Sequence, residues 1–246
     1  MATKIQAHRG ASYDAPENTM EAFRLAVLIA ADGIELDVHL SKDGEVVVIH
    51  DDTIDRTSNG SGRVSDMTLE ELRQYDYSNN MPGFKDVPIP TLREVYELVA
   101  PTNMFINVEL KAGEMPEPEL IVALAKLEEE FGMKDRLIYS SFNHYALLML
   151  RDHLPHAKIA LLYNAGFAFP WRYAKEIVDA AALHPHKANL MIPGYVKQSQ
   201  ELGLMVNVWT VDSPREMKWL MDLGVDGIIT NRPAIALAIR DRSAER

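Results

Sequence analysis

Short runs rich in Val and Ile alternate along the chain with longer segments whose apolar residues recur at helical spacing. The short runs predict strands at Lys4–His8, Gly33–His39, Glu45–His50, Phe105–Leu110, Leu137–Ser140, Lys158–Leu162, Asn189–Met191, Leu204–Trp209 and Gly227–Ile229. The longer segments predict helices near Thr19–Ala31, Leu92–Val99, Glu117–Phe131, Asn143–Leu154, Pro170–Ala182, Tyr195–Leu202, Pro214–Leu223 and Pro233–Ile239. Four of the helical signals carry a capping oxygen three residues before a carboxylate: Asn18 with Glu21, Thr68 with Glu71, Thr91 with Glu94 and Ser213 with Glu216.

Strands alternating with helices imply a parallel sheet with right-handed crossovers. About eight such units in a chain of 246 residues favour an α/β TIM-type (β/α)8 barrel over an open sheet. The rhythm breaks between Asp51 and Pro90, a polar stretch with several Gly and Pro and one short helix signal. It reads as a small rim insertion, about residues 51–90, within a single barrel domain spanning 1–246.

Polar residues interrupt the apolar runs with a period of two. In Ile34–Leu40, Glu35, Asp37 and His39 share one face and the aliphatic residues share the other. Asn107, Glu109 and Lys111 repeat the pattern, as do Gln6 with His8 and Asn207 with Trp209. In a barrel the polar set faces the interior. Glu35, Asp37 and Glu109 then lie towards the C-terminal ends of their strands, where such barrels carry their active sites. Interior carboxylates are costly unless paired or bound to a cation. Oxygen-only ligation suits a hard cation, Mg²⁺, Ca²⁺ or Mn²⁺, over zinc. The competing arrangement is interior salt bridging, Glu109 with Lys111 and Glu35 with Arg9.

His8 and His50 each end a strand at the same mouth, and histidine is the natural proton shuttle near neutral pH. Arg9 and Lys111 supply cations for a phosphate. Trp209, at a strand end, is placed either to flank a ligand or to pack the rim. His39, His144, His153 and His156 lack such a setting, and His184 with His186, around Pro185, look like solvated loop. Met217 and Met221 read as core, and Glu128-Glu129-Glu130 as a solvated helix face.

Composition narrows the chemistry further. The absence of cysteine excludes a disulfide framework, thiolate ligands and a cysteine nucleophile. A formal net charge of −11 disfavours nucleic acid and anionic membrane surfaces as partners, whereas a local cation can still hold a phosphate. No secretory apolar core precedes the first strand pattern, and no apolar stretch is long enough to span a bilayer, which points to a cytoplasmic protein without stable membrane association. Oligomeric state has no signature in the chain.

His8-Arg9-Gly10, Pro16-Glu17-Asn18-Thr19, Gly33-Ile34-Glu35-Leu36-Asp37-Val38 and Val47-Val48-Ile49-His50-Asp51 occur in that order. Arg56-Thr57, Glu109-Leu110-Lys111, Val208-Trp209-Thr210 and Gly227-Ile228-Ile229-Thr230-Asn231-Arg232-Pro233 follow. The ordered set resembles the glycerophosphodiester phosphodiesterase family, of the cytoplasmic bacterial type, over essentially the whole chain. The resemblance implies a barrel that hydrolyses a small-molecule glycerophosphodiester to glycerol 3-phosphate and an alcohol. By it, Glu35, Asp37 and Glu109 bind one divalent cation, and His8 and His50 are general acid and base. Arg9 and Lys111 hold phosphate oxygens, and Glu17 orients the site. Ser41 stands where the family usually shows Thr, with the hydroxyl retained. Two rival readings are a related phospholipase D-like barrel acting on lysophospholipids and a non-catalytic barrel that binds metal or phosphate.

Overall fold

Alternation places one side of each strand under the helices and the other in the barrel, and the computed structural model, which describes residues 2–113 and 117–244, follows that division. In chain order the strands are β1 (Lys4–His8), β2 (Gly33–Leu40), β3 (Val46–Val48), β4 (Phe105–Leu110), β5 (Leu137–Ser141), β6 (Ile159–Tyr163), β7 (Ala182–Pro185), β8 (Met205–Val208) and β9 (Gly227–Thr230). All but β3 are parallel and close into an eight-stranded ring, in which β1 pairs with both β2 and β9. β3 runs antiparallel to β2, outside the ring. The helices are α1 (Met20–Leu28), α2 (Leu69–Leu72), α3 (Leu92–Val99), α4 (Pro118–Phe131), α5 (His144–His153), α6 (Pro170–Arg172), α7 (Tyr195–Glu201), α8 (Pro214–Leu223) and α9 (Pro233–Ala244).

The main core lies between the ring and the helix layer. Ile34, Leu36 and Val38 are fully buried there, beside Phe23, Val95, Leu124 and Leu220. Each such aliphatic side chain contributes about 1.5–3 kcal/mol by leaving water. A second, smaller cluster joins Val47, Ile49, Ile54, Val64, Leu72, Tyr77 and Ile89. β3 belongs to both, because Val46 and Val48 face the main core and Val47 faces the small one. The segment between β3 and α3 is thereby pinned to the barrel wall.

Several expectations need correction. Asn189–Met191 is not a strand; it lies in a 3₁₀ turn, Lys187–Met191, while the sixth strand of the ring is β7, Ala182–Pro185. The helix expected over Pro170–Ala182 stops early: α6 runs into a π-helical turn, Tyr173–Ile177, and Asp179 adopts φ +50°. Asp-Ala-Ala-Ala continues a helical pattern, but Ala181 donates its N–H to the Ile159 carbonyl at the start of β6, and tertiary pairing overrides propensity. His184, expected in solvated loop, is fully buried inside the barrel, and His186 is half-buried.

Glu128 is not on a solvated face: it is buried, taking Tyr139 Oη–H at 2.8 Å and meeting His156. Two of the four capping boxes form, at Thr68 and Thr91. α1 is capped by Thr19, not Asn18, and Ser213 makes no side-chain cap, with Glu216 bonded to Lys187 instead.

Candidate active site

The register of the first strands decides which polar residues meet. His8 lies level with Glu35 across β1 and β2, and Asp37 lies level with Glu109 across β2 and β4. Ligand oxygens of Glu35, Asp37 and Glu109 fall within 4.8 Å of one another, all three residues buried. His8 Nε2 stands 3.9 Å from Glu35 Oε2. A cleft of about 150 Å³ opens over this group, lined by His8, Arg9, Glu35, His50, Glu109 and Lys111 on its charged side. Phe142, Leu162, Trp209 and Ile229 line its apolar side.

The turn after β1 is shaped to deliver Arg9. Arg9 adopts φ +55° and Gly10 φ +80°, and a Cβ on Gly10 would stand 2.6 Å from Ala22 Cβ. The left-handed Arg9 costs about 1–3 kcal/mol, and its backbone N–H donates to Glu35 Oε2 at 2.9 Å. Its guanidinium donates to Glu17 at 2.8 Å and stands 3.3 Å from Asp37. Lys111 Nζ bridges Glu109 at 2.5 Å and Asp37 at 3.1 Å. The expected Glu109–Lys111 pair is therefore present, while Glu35 meets Arg9 through the backbone and not through the guanidinium.

Crowding three carboxylates sets their protonation. Burial, then the charges of Asp37 and Glu109, push Glu35 well above the usual carboxylate range. Burial and Asp37 push Glu109 to about 7 against the pull of Lys111. Asp37 goes the other way: burial opposes ionisation, but Lys111 and Arg9 hold it low, with Asn18 Nδ2 donating to Oδ2 at 2.8 Å. Asp37 Oδ1 is buried and faces Lys111 Nζ at 3.1 Å. An oxygen-only trio of buried carboxylates, two of its members held above the usual carboxylate range, fits a hard divalent cation.

Both histidines have one ring nitrogen tied back. His8 Nδ1 lies 2.7 Å from Asn231 Oδ1, and Asn231 Nδ2 donates to Asp212 at 2.6 Å. The amide orientation makes Oδ1 the acceptor, so His8 carries its proton on Nδ1 and leaves Nε2 with a lone pair. Burial, reinforced by Arg9, lowers His8 to about 4. His50 Nδ1 lies 2.5 Å from Asp51 Oδ1, its pKa drawn down by burial against the pull of Asp37. Arg56 joins Asp51 to Glu17. His39, which lacked a setting in the sequence, stands 3.2 Å from the His50 carbonyl.

Trp209 closes the apolar side, its Nε1 donating to His184 O at 2.7 Å and its ring edge-on to Phe142 and His186. The structure thus gathers His8, Arg9, Glu35, His50, Glu109, Lys111 and Trp209 around one cleft, with Asp37 and Glu17 directly behind. Sequence reasoning missed Asn18, Asp51, Arg56 and Phe142 as site residues, and it gave Asn231 no role of its own. Asp212 carried no signal. The others lie in or beside segments already singled out, where their loop positions hid their roles.

The sequence model of the "Glycerophosphoryl diester phosphodiesterase family" matches residues 8–235. A glycerophosphodiester phosphodiesterase of Caldanaerobacter subterraneus is 44% identical over 234 residues, covering 95% of this chain and 96% of the relative. One from Bacillus altitudinis is 40% identical over 242 residues, covering 97% and 98%. Among solved structures, an Oleispira antarctica phosphodiesterase in complex with the product sn-glycerol-3-phosphate is 31% identical, with a TM-score of 0.91 and 98% and 97% of the two chains covered.

Proposed function

Because the chain belongs to the glycerophosphoryl diester phosphodiesterase family and is an enzyme of that class, we propose that it hydrolyses glycerophosphodiesters to glycerol 3-phosphate and an alcohol by acid–base catalysis with His8 and His50. The observation that carries this reading is the convergence of two histidines, each tied back through Nδ1, with three buried carboxylates on one cleft. The product bound by the Oleispira enzyme supports the same substrate class.

Glu35, Asp37 and Glu109 would hold one divalent cation, Mg²⁺, Ca²⁺ or Mn²⁺. Such an ion, when bound, supplies positive charge that stabilises phosphoryl oxygens in the transition state. Arg9 and Lys111 add fixed cations for the single negative charge of the diester. His8 stays neutral at physiological pH through burial, with Nε2 able to accept a proton. His50 is the second proton-transfer group, oriented by Asp51. Trp209 and Phe142 give the substrate an apolar wall.

The test is release of glycerol 3-phosphate from glycerophosphocholine, with EDTA and with each cation restored. Activity lost to EDTA and recovered with a hard cation supports the reading, and no release with any cation sinks it. Lysophosphatidylcholine run in parallel separates a diesterase from a lipase-like barrel. His8→Ala and His50→Ala should each lower turnover by at least about a hundredfold.

A further inference from the structure

Two groups assigned to the reaction are braced by one side chain that does not line the cleft. Arg56 sits at the start of the segment between β3 and α3, shortly after His50. Its Nε donates to Asp51 Oδ2 at 2.7 Å and its Nη2 reaches Asp51 Oδ1 at 3.2 Å. Nη1 and Nη2 donate to the two oxygens of Glu17, each at 2.9 Å. Asp51 backs His50 Nδ1 at 2.5 Å, and Glu17 takes Arg9 Nη1 at 2.8 Å.

We infer that Arg56 is a positioning residue, which fixes the orientation of His50 and its distance from Arg9 by gripping the carboxylate behind each. The inference rests on the roles proposed above for His50 and Arg9. A guanidinium suits the task because its planar fork engages two carboxylates at once, whereas a lysine is a point charge on a flexible stem. Its backbone is anchored as well, since Ile54 belongs to the small apolar cluster and Thr57 is buried. Arg56 also holds the Asp51 carboxyl down to about 2, so the acceptor facing His50 stays ionised well into acid. The segment between β3 and α3 therefore contributes to the chemistry by bracing, from a cluster of its own.

Arg56→Lys and Arg56→Ala separate this role from a merely structural one. Displacing a catalytic group by about 1 Å costs on the order of a hundredfold, so turnover on glycerophosphocholine should fall by roughly that factor in Arg56→Ala and by at least about tenfold in Arg56→Lys, with the unfolding temperature little changed. Millimolar guanidinium should restore part of the alanine variant's turnover, and ammonium should not. Long-range ¹H–¹⁵N spectra of the imidazoles, recorded without substrate, should show His50 protonated on Nδ1 in the wild type and as a mixture of tautomers in Arg56→Ala. Wild-type turnover in Arg56→Lys, or an unchanged His50 tautomer in Arg56→Ala, overturns the inference. The spectra decide it even where the wild-type enzyme leaves glycerophosphocholine intact, an outcome that sinks the functional reading instead.

Discussion

His8 Nδ1 and Asn231 Oδ1 meet at 2.7 Å although 223 positions separate them in the chain. The loop after the last strand thereby selects the tautomer of a histidine on the first. Asp212 selects it one step further back, by accepting Asn231 Nδ2 at 2.6 Å. Asn231→Ala removes the acceptor and frees His8 to protonate either nitrogen. Turnover should fall by about ten- to a hundredfold with a smaller change in KM, read by steady-state kinetics on glycerophosphocholine. Wild-type turnover in this variant would show that His8 needs no tautomeric support.

Cation binding should release protons. Glu35 and Glu109 both titrate above the usual carboxylate range through burial and the charge of Asp37, and a bound cation requires them ionised. Affinity for Mg²⁺ or Mn²⁺ should therefore rise with pH through about 7. Titration calorimetry in two buffers of different ionisation enthalpy measures the protons released. Identical apparent enthalpies in the two buffers would remove the effect.

The same crowding makes the metal-free protein less stable than it need be. A carboxyl whose folded pKa is raised stabilises the fold at low pH, and that stability is lost as pH rises through the raised value. Glu35→Gln should accordingly raise the stability of the EDTA-treated protein above neutral pH by about 1–4 kcal/mol, while abolishing cation-dependent activity. A lower melting temperature in EDTA than the wild type would count against this account of the site.

His184 makes stability depend on acid. Burial lowers its pKa from the ordinary 6.5 to about 3, so between those values the unfolded chain holds a proton that the folded chain does not. The stability is fully present above about 6.5 and is lost as pH falls. This one residue should cost about 2 kcal/mol between pH 7 and 5. Urea unfolding at both values, for wild type and His184→Gln, isolates the contribution. Parallel pH slopes in the two proteins would contradict it.

Glu128→Leu tests a buried polar contact outside the cleft. The substitution leaves Tyr139 Oη–H, otherwise bonded at 2.8 Å, without its acceptor, at a cost of about 1–3 kcal/mol. For a chain of this size that lowers the melting temperature by about 2–12 °C, and turnover should stay at the wild-type level. Calorimetry beside the diesterase assay reads both, and an unchanged melting temperature would leave the contact without weight.

Much of the barrel was legible because strand alternation is a strict period. Glu35, Asp37, Asn107 and Glu109 stand out as polar residues on a face that repeats every second position, and register then brings Asp37 level with Glu109. The supporting groups follow no period. Asn231, Asp212, Asn18 and Arg56 lie in loops, and what they touch depends on how the ring closes across long stretches of chain. His184 failed for a local reason: beside Pro185 it resembles a loop, yet parallel pairing of β7 with β6 and β8 puts it inside the barrel. Glu128 failed because three consecutive glutamates hide a helix face that turns inward to Tyr139.

The seam between β1 and β9 also dictates when this molecule becomes a catalyst. A ribosome adding about 5–20 residues per second needs roughly 10–45 s to travel from one side of the seam to the other. Throughout that interval β1 lacks one of its two neighbours and His8 lacks its partner. Competence therefore waits on a single closing event, the docking of β9 between β8 and β1. A transcript cut short before Gly227 yields an open sheet with bare edges, a substrate for chaperones and proteases, and not an enzyme of reduced activity.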